Sequence, residues 1–273
     1  MQEMTLQDIQ NECLRILKDV HQFCVDNDIT YTLYGGTMIG AIRHKGFIPW
    51  DDDIDIAMPR PDYERFVRSY VSRNGYELIC EEKGNSLLAF ARVVDNERTM
   101  VKASLPWTDH ITGVCIDIFP LDGAPDDKKE AERFMRSLRR YWTYAKLSRV
   151  ALRKMSDYKS FKMKQNILLR KILFRNPISK NINWTRLYSK KCKQIPYGST
   201  KHFANVAFME YGMKEYQEMA DFQTTTLVEF EGDKYCVCNG YDHLMRVKYG
   251  DYMQLPPEKD RVYKHGGSKY YWK

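Results

Sequence analysis

No apolar run in the chain is long enough to cross a bilayer. The longest stretch without a charged residue, Ile29 to Ile42, has fourteen residues and includes three glycines, against the roughly 20 apolar residues that a spanning helix needs. Met1-Gln2-Glu3-Met4 offers neither the basic nor the apolar part of a secretory signal, so the expected location is the cytoplasm. Cys-x-x-Cys is absent. The seven cysteines stand at positions 13, 24, 80, 115, 192, 236 and 238, and the one close pair, Cys236 and Cys238, has the wrong spacing for common zinc motifs. An odd number of thiols without metal spacing reads as reduced, mostly core cysteine. Fifteen Gly and ten Pro in 273 residues exclude a linker protein or a collagen.

Acid is scarce in one region only. Between Arg133 and Lys193, nineteen Lys and Arg face a single acid, Asp157, a segment charge of +18. The net charge of +7 therefore leaves −11 for the remainder. An acidic body with a basic segment points to an anionic membrane face, a nucleic acid or a polyanionic acceptor as partner. Within this block Phe161, Ile167, Leu168, Ile172 and Leu173 fall in helical clusters among Lys162, Lys164, Arg170, Lys171 and Arg175. Basic side chains beside an apolar stripe suit a helix lying on an anionic bilayer, which gives an expected peripheral contact at the inner membrane face.

Periodicity gives the element order. Thr5-Leu6-Gln7-Asp8 is a capping box, and Leu6, Ile9, Cys13, Leu17, Val20 and Cys24 then recur at three and four, a helix to about Asn27. Tyr31 to Tyr34 reads as a short strand, Thr37 to Arg43 as a short helix and Gly46 to Trp50 as a loop. Asp53 to Met58 alternates like a strand, and Pro61 starts another helix. Further strands are expected at Tyr76–Cys80, Leu87–Val94, Thr99–Ala103 and from Val114 to Phe119, the last stopped by Pro120. Asp126 to Gln194 is expected to be helical with a break near Asn176-Pro177. Strand-like pieces follow at 203–208 and 224–230, with a last helix from Asp242 to Tyr249. The fold class is α/β (α+β), a mixed sheet with flanking helices and an inserted basic helical subdomain. The expected parts are a catalytic core over 1–125, the basic insertion over 126–195, and residues 196–273 completing the core on the acceptor side.

The chemistry concentrates in Trp50-Asp51-Asp52-Asp53-Ile54-Asp55-Ile56. On a strand, Asp53 and Asp55 share one face while Ile54 and Ile56 share the other. Such a pair repels unless a cation sits between, and hard oxygen ligands favour Mg²⁺, Mn²⁺ or Ca²⁺ over zinc. An EF-hand loop fails, because Ile56 replaces its glycine and Asp62 its final glutamate. Asp117, one acid in the apolar run Val114 to Phe119, is the candidate third carboxylate. Upstream, Tyr34-Gly35-Gly36-Thr37 leads from strand to helix through a turn that lets backbone N–H groups approach phosphate. Glycines for phosphate and acids for metal read together as a phosphoryl-transfer site.

These residues resemble a known family. Gly35-Gly36-Thr37, the run from Gly40 to Ile56, Arg92, Asp95 and Thr99, the run from Ile116 to Asp122, Phe230-Glu231-Gly232, and Tyr249-Gly250-Asp251-Tyr252-Met253 with Pro256-Pro257 and Arg261 are similar to the signature of the LicD family. That family holds bacterial phosphocholine transferases and has fukutin and fukutin-related protein as relatives. The resemblance implies a nucleotidyltransferase fold of the DNA polymerase β type. It also implies transfer of a phospho-alcohol from a CDP-linked donor, such as CDP-choline, to a hydroxyl of a cell-envelope glycan. Lipopolysaccharide, teichoic acid or capsule are such glycans. Asp53, Asp55 and Asp117 would then be catalytic and hold Mg²⁺ (or Mn²⁺). Gly35, Gly36, Thr37, Arg43, His44, Lys45, Trp50, Asp51 and Arg92 would bind substrate, with Trp50, Trp107 and Tyr252 as candidates to face a choline ammonium. Two competing readings remain: a nucleotidyltransferase that uses a nucleoside triphosphate on nucleic acid or a small-molecule hydroxyl, and a non-catalytic metal-dependent binder.

Overall fold

Alternating acid and apolar residues build the centre of the sheet. In the computed structural model, which describes residues 1–102, 113–148, 161–174, 181–209, 211–262 and 268–273, strand β3 (Asp55–Pro59) lies parallel to the long strand β7 (Val114–Ala124). The elements between and before them are β1 (Gln2–Glu3), α1 (Leu6–Asp26), β2 (Thr32–Leu33), α2 (Gly35–His44), α3 (Arg60–Ser69), β4 (Glu77–Ile79), β5 (Ala91–Asp95) and β6 (Thr99–Lys102). After β7 come α4 (Lys128–Ser148), α5 (Phe161–Leu173), α6 (Trp184–Cys192), β8 (His202–Ala204), β9 (Tyr216–Glu218), β10 (Thr225–Phe230), β11 (Asp233–Cys238), α7 (Tyr241–Tyr249) and β12 (Lys269–Trp272). The main sheet runs β2-β3-β7-β5-β4, with β8 and β9 continuing from the far half of β7. Only the β3–β7 pairing is parallel in it, so the expected mixed sheet with flanking helices is what the chain forms. Trp107, the strand end at Ala103 and the break at Asn176-Pro177 lie outside the described residues.

The capping box at α1 is present in both directions: Asp8 N–H donates to Thr5 Oγ1 at 3.1 Å, and Thr5 N–H to Asp8 Oδ2 at 2.8 Å. The three-four spacing then buries Ile9, Cys13, Ile16, Leu17, Val20 and Cys24 against β7 and β5. Ile54, Ile56, Ile116 and Ile118 are fully buried on the same core. At ~25 cal/mol per Å² of apolar surface, side chains of this size contribute about 1.5–3 kcal/mol each.

Three strand readings need correction. Pro120 does not stop β7. The Asp117 N–H donates to the Ile54 carbonyl at 2.9 Å, so odd residues of β7 face β3 and even residues face the other side. On that other side β5 ends opposite Ile118 and β8 begins opposite Asp122. Pro120 falls between the two partners, where its missing N–H costs nothing. Asp53 also precedes β3 rather than opening it, since pairing starts at Asp55. The strand expected from Leu87 is confined to Ala91–Asp95, and β1, β9, β11 and β12 add pairings that periodicity does not foretell.

Candidate active site

Register brings the site together. Asp55 of β3 pairs with Asp117 of β7, and Asp117 pairs in turn with Arg92 of β5. Directly paired residues project from the same face, so the two acids and the arginine form a row across three strands. Arg92 forks Asp117, with Nε on Oδ1 at 2.5 Å and Nη2 on Oδ2 at 3.3 Å. Replacing Asp117 with Asn would remove the charge that Arg92 forks, a cost set against any relief of repulsion among the acids.

The N-terminus of α2 closes one side. The Tyr34 N–H donates to the Asp55 carbonyl at 2.9 Å, and Thr37 Oγ1 accepts from the Asp55 N–H at 2.8 Å. Thr37 therefore fixes the backbone of Asp55. Gly35 has φ of 57°, and a Cβ there would lie 2.7 Å from Asp55 Oδ2; a Cβ on Gly36 would lie 2.6 Å from Asp51 Oδ2. Only glycine admits the carboxylates this close to the helix terminus. Gly35→Ala is expected to destabilise the fold by about 1–2 kcal/mol from its left-handed backbone alone. Thermal melting checks this; an unchanged Tm would show that the turn tolerates a side chain.

The acidic loop is held from behind. Gln10 Nε2 donates to the Asp51 carbonyl at 2.8 Å, and Cys13 Sγ contacts the Asp52 carbonyl at 3.6 Å, both from α1. At its start, Glu231 in the β10–β11 turn accepts from the Phe47 N–H through Oε1, and its N–H donates to the Lys45 carbonyl, each at 2.9 Å. Carboxylate oxygens of Asp51, Asp52 and Asp53 lie within 4.8 Å of one another, with Asp52 buried. Asp53 and Asp55 are pushed well above the usual carboxylate range. Burial is the main cause for both; repulsion from Asp55, Asp51 and Asp117 adds to Asp53, and from Asp117 and Asp51 to Asp55, while Lys248 and Arg92 oppose the shift of Asp55. An all-oxygen set that cannot ionise cheaply by itself fits a hard divalent cation.

Asp51, Asp53, Asp55, Arg92 and Asp117 line a cavity of about 600 Å³ together with Tyr34, Gly35 and Gly36. Its lining also includes Phe90, Phe119, Trp142, Lys146, Tyr188, Asn205, Phe208, Tyr211, Lys248 and Tyr249. Of the residues expected to bind substrate, Gly35, Gly36, Asp51 and Arg92 are on the wall, as are Asp53, Asp55 and Asp117. Thr37 stands behind it. Arg43 donates from Nη1 to the carbonyls of Tyr252 at 2.6 Å and Gln254 at 3.3 Å, and from Nε to His44 Nε2 at 2.9 Å. Those two residues, the exposed Lys45 and the half-buried Trp50 lie outside the cavity lining. Tyr252 is buried, and its hydroxyl donates to Asp242 Oδ1 at 2.6 Å rather than facing the cavity.

Sequence reasoning missed Lys248. Its side chain is 3% exposed, with the ammonium 2.7 Å from Glu215 Oε1 and 4.3, 4.6 and 5.5 Å from the ring centres of Tyr34, Tyr211 and Tyr249. Tyr34 also donates its hydroxyl to Glu215 Oε2. Burial raises the carboxyl of Glu215, while Lys248 opposes that shift. The one local hint is a basic residue on the buried side of a short amphipathic helix.

A family model described as LicD/FKTN/FKRP, nucleotidyltransferase domain, matches residues 28–157. Lipopolysaccharide cholinephosphotransferase LicD of Haemophilus influenzae is 33% identical over 97% of this chain and 97% of its own length. Human ribitol 5-phosphate transferase FKRP is 38% identical over 50 residues, 17% of this chain and 10% of that protein. An uncharacterized protein of Rickettsia typhi, RT0683, is 30% identical over 30% of this chain and 29% of its own.

Proposed function

The chain belongs to the LicD family of transferases, and on that premise we propose that it moves phosphocholine, or a similar phospho-alcohol, from a CDP-linked donor to a glycan hydroxyl. The observation that supports this most is the convergence of Gly35-Gly36, four aspartates, Arg92 and Lys248 on one cavity. In the reaction the acceptor oxygen attacks the phosphorus that carries choline. The bond from that phosphorus to the CMP oxygen breaks, CMP leaves, and the hydroxyl proton goes to a base.

Asp53 and Asp55, with Asp117 as third carboxylate, would hold Mg²⁺ or Mn²⁺, in the manner of a DNA polymerase β-type nucleotidyltransferase. The cation would neutralise the diphosphate and favour departure of CMP. Asp117 is the proposed base: Arg92 orients its carboxylate, and the oxygen that would not engage the cation keeps a further lone pair for the proton. Backbone N–H groups at Gly35 and Gly36 face the phosphates from the positive end of α2. Lys248 and Arg92 supply the fixed positive charge on the protein side. Phe90, Phe119 and Phe208, with ring centres 4.6–6.0 Å apart, form the apolar patch proposed for the trimethylammonium group. The acceptor class is a cell-envelope glycan such as lipopolysaccharide, approached from the cytoplasmic side.

Mass spectrometry of products from purified protein, CDP-choline and a lipopolysaccharide acceptor tests the reading. A phosphocholine adduct with stoichiometric CMP is expected, lost on chelation and restored by Mg²⁺ or Mn²⁺. Pyrophosphate release from a nucleoside triphosphate, with no CMP from CDP-choline, would overturn it in favour of nucleotidyl transfer.

A further inference from the structure

Helix α5 carries bulky apolar side chains on the side that faces water. Phe161 is 75% exposed, Leu168 56%, Ile172 63% and Leu169 40%. Positions 161, 168 and 172 are spaced by seven and four, which places them on one line of a helix, and Leu169 widens that line. Lys164 and Lys171, both exposed, run along one edge of it. The opposite side is fixed to the protein: Ile167 is fully buried, and Arg170 is half-buried with Nη2 on the Ser148 carbonyl at the end of α4 at 3.3 Å. Single exposed leucines are ordinary, but four large apolar residues on one face of a thirteen-residue helix make a contiguous patch.

Charge identifies what fits the patch. The helix lies within the segment of +18, whose exposed members include Arg133, Arg136, Arg139 and Arg140 of α4. A second copy of the chain would bring the same charge against itself, which opposes pairing through this face. A soluble polyanion would satisfy the lysines and leave the leucines in water. An anionic phospholipid surface satisfies both, with acyl boundary for the apolar line and headgroup phosphates for its basic edge. No helix among the described residues is long and apolar enough to cross a membrane, so the contact lies on the surface. We propose that α5 docks the protein flat on an anionic bilayer, with Phe161, Leu168, Leu169 and Ile172 entering the headgroup boundary and Lys164 and Lys171 meeting lipid phosphates.

The proposal goes beyond the transfer reaction, and its test reads vesicle binding without turnover. Full-length protein is sedimented with sucrose-loaded vesicles of phosphatidylcholine alone or with about one-third phosphatidylglycerol. Binding is expected to be at least about tenfold stronger to the anionic vesicles at low salt and to weaken sharply in ~1 M salt, where the Debye length falls to about 3 Å. Leu168→Asp/Ile172→Asp changes only exposed positions and is expected to weaken binding about tenfold or more, with an unchanged circular dichroism spectrum and melting curve. Lys164→Glu/Lys171→Glu is expected to weaken it as well and provides a second probe should the first variant misfold. Equal binding to neutral and anionic vesicles would overturn the proposal. So would undiminished binding of the Leu168→Asp/Ile172→Asp variant, which would make attachment purely electrostatic. A dimer in sedimentation equilibrium that the same variant dissociates would assign the patch to a second copy instead.

Discussion

Asp55→Asn is expected to lower kcat at least about tenfold, a barrier increase of about 1.4 kcal/mol or more, while making the metal-free protein more heat-stable at pH 8. The carboxylate is enclosed by Gly35, Asp117 and Lys248, and burial first, then Asp117, raises its affinity for a proton. A group whose folded pKa lies above its unfolded value of 3.8 stabilises fully below that pH. Its contribution is lost as pH rises through the folded pKa. Wild type should therefore lose stability relative to the variant as pH rises above the unfolded value, and Mg²⁺ should restore more of it at pH 8. Parallel melting curves and turnover assays check both halves. A variant that keeps more than about a tenth of wild-type kcat, or whose Tm relative to wild type does not change with pH, would remove Asp55 from the cation site.

Lys248→Met should cost about 3–5 kcal/mol of stability, because it strands Glu215 in the interior with the Tyr34 hydroxyl as its remaining partner among the described residues. Adding Glu215→Gln should recover most of that loss, since the amide has no charge to leave unpaired. Activity should not recover with it. Lys248 is on the cavity wall and opposes the repulsion at Asp55, a role that the amide cannot supply. Denaturant melts and kcat on the two variants separate these roles. Recovery of both stability and turnover in the double variant would make Lys248 a purely structural residue.

The legible parts of the site were those written in local pattern. Acid alternating with isoleucine announced the row through Asp55 and Asp117, and a glycine pair before a helix announced the turn that faces it. Arg92 was placed by resemblance, and its partner became visible only through the antiparallel register of β5. Pro120 misled because a strand break and a change of strand partner leave the same mark in sequence. Arg43 beside His44 suggests a phosphate contact, but its donors go to two carbonyls more than 200 residues away. The Tyr34, Tyr211, Glu215 and Lys248 cluster joins three distant segments, and no spacing rule connects them.

The passage of β7 from β5 to β8 at Pro120 has a consequence for the divisibility of the molecule. One unbroken strand carries Asp117 in its first half and the seam to His202–Ala204 in its second, with Asp122 tied by a buried fork to Arg60 at 2.7 and 2.6 Å. The segment matched by the family model ends at residue 157, yet Thr185, Tyr188, Asn205, Tyr211, Lys248 and Tyr249 of the cavity come from beyond it. A protein cut at that boundary would keep its acids and lose the opposite wall, and would expose the unpaired second half of β7 as a sticky edge. Swapping the C-terminal segment of one relative onto another should therefore be done at a surface turn past β9, where the ladder of the main sheet stays intact, and not at the limits of sequence similarity.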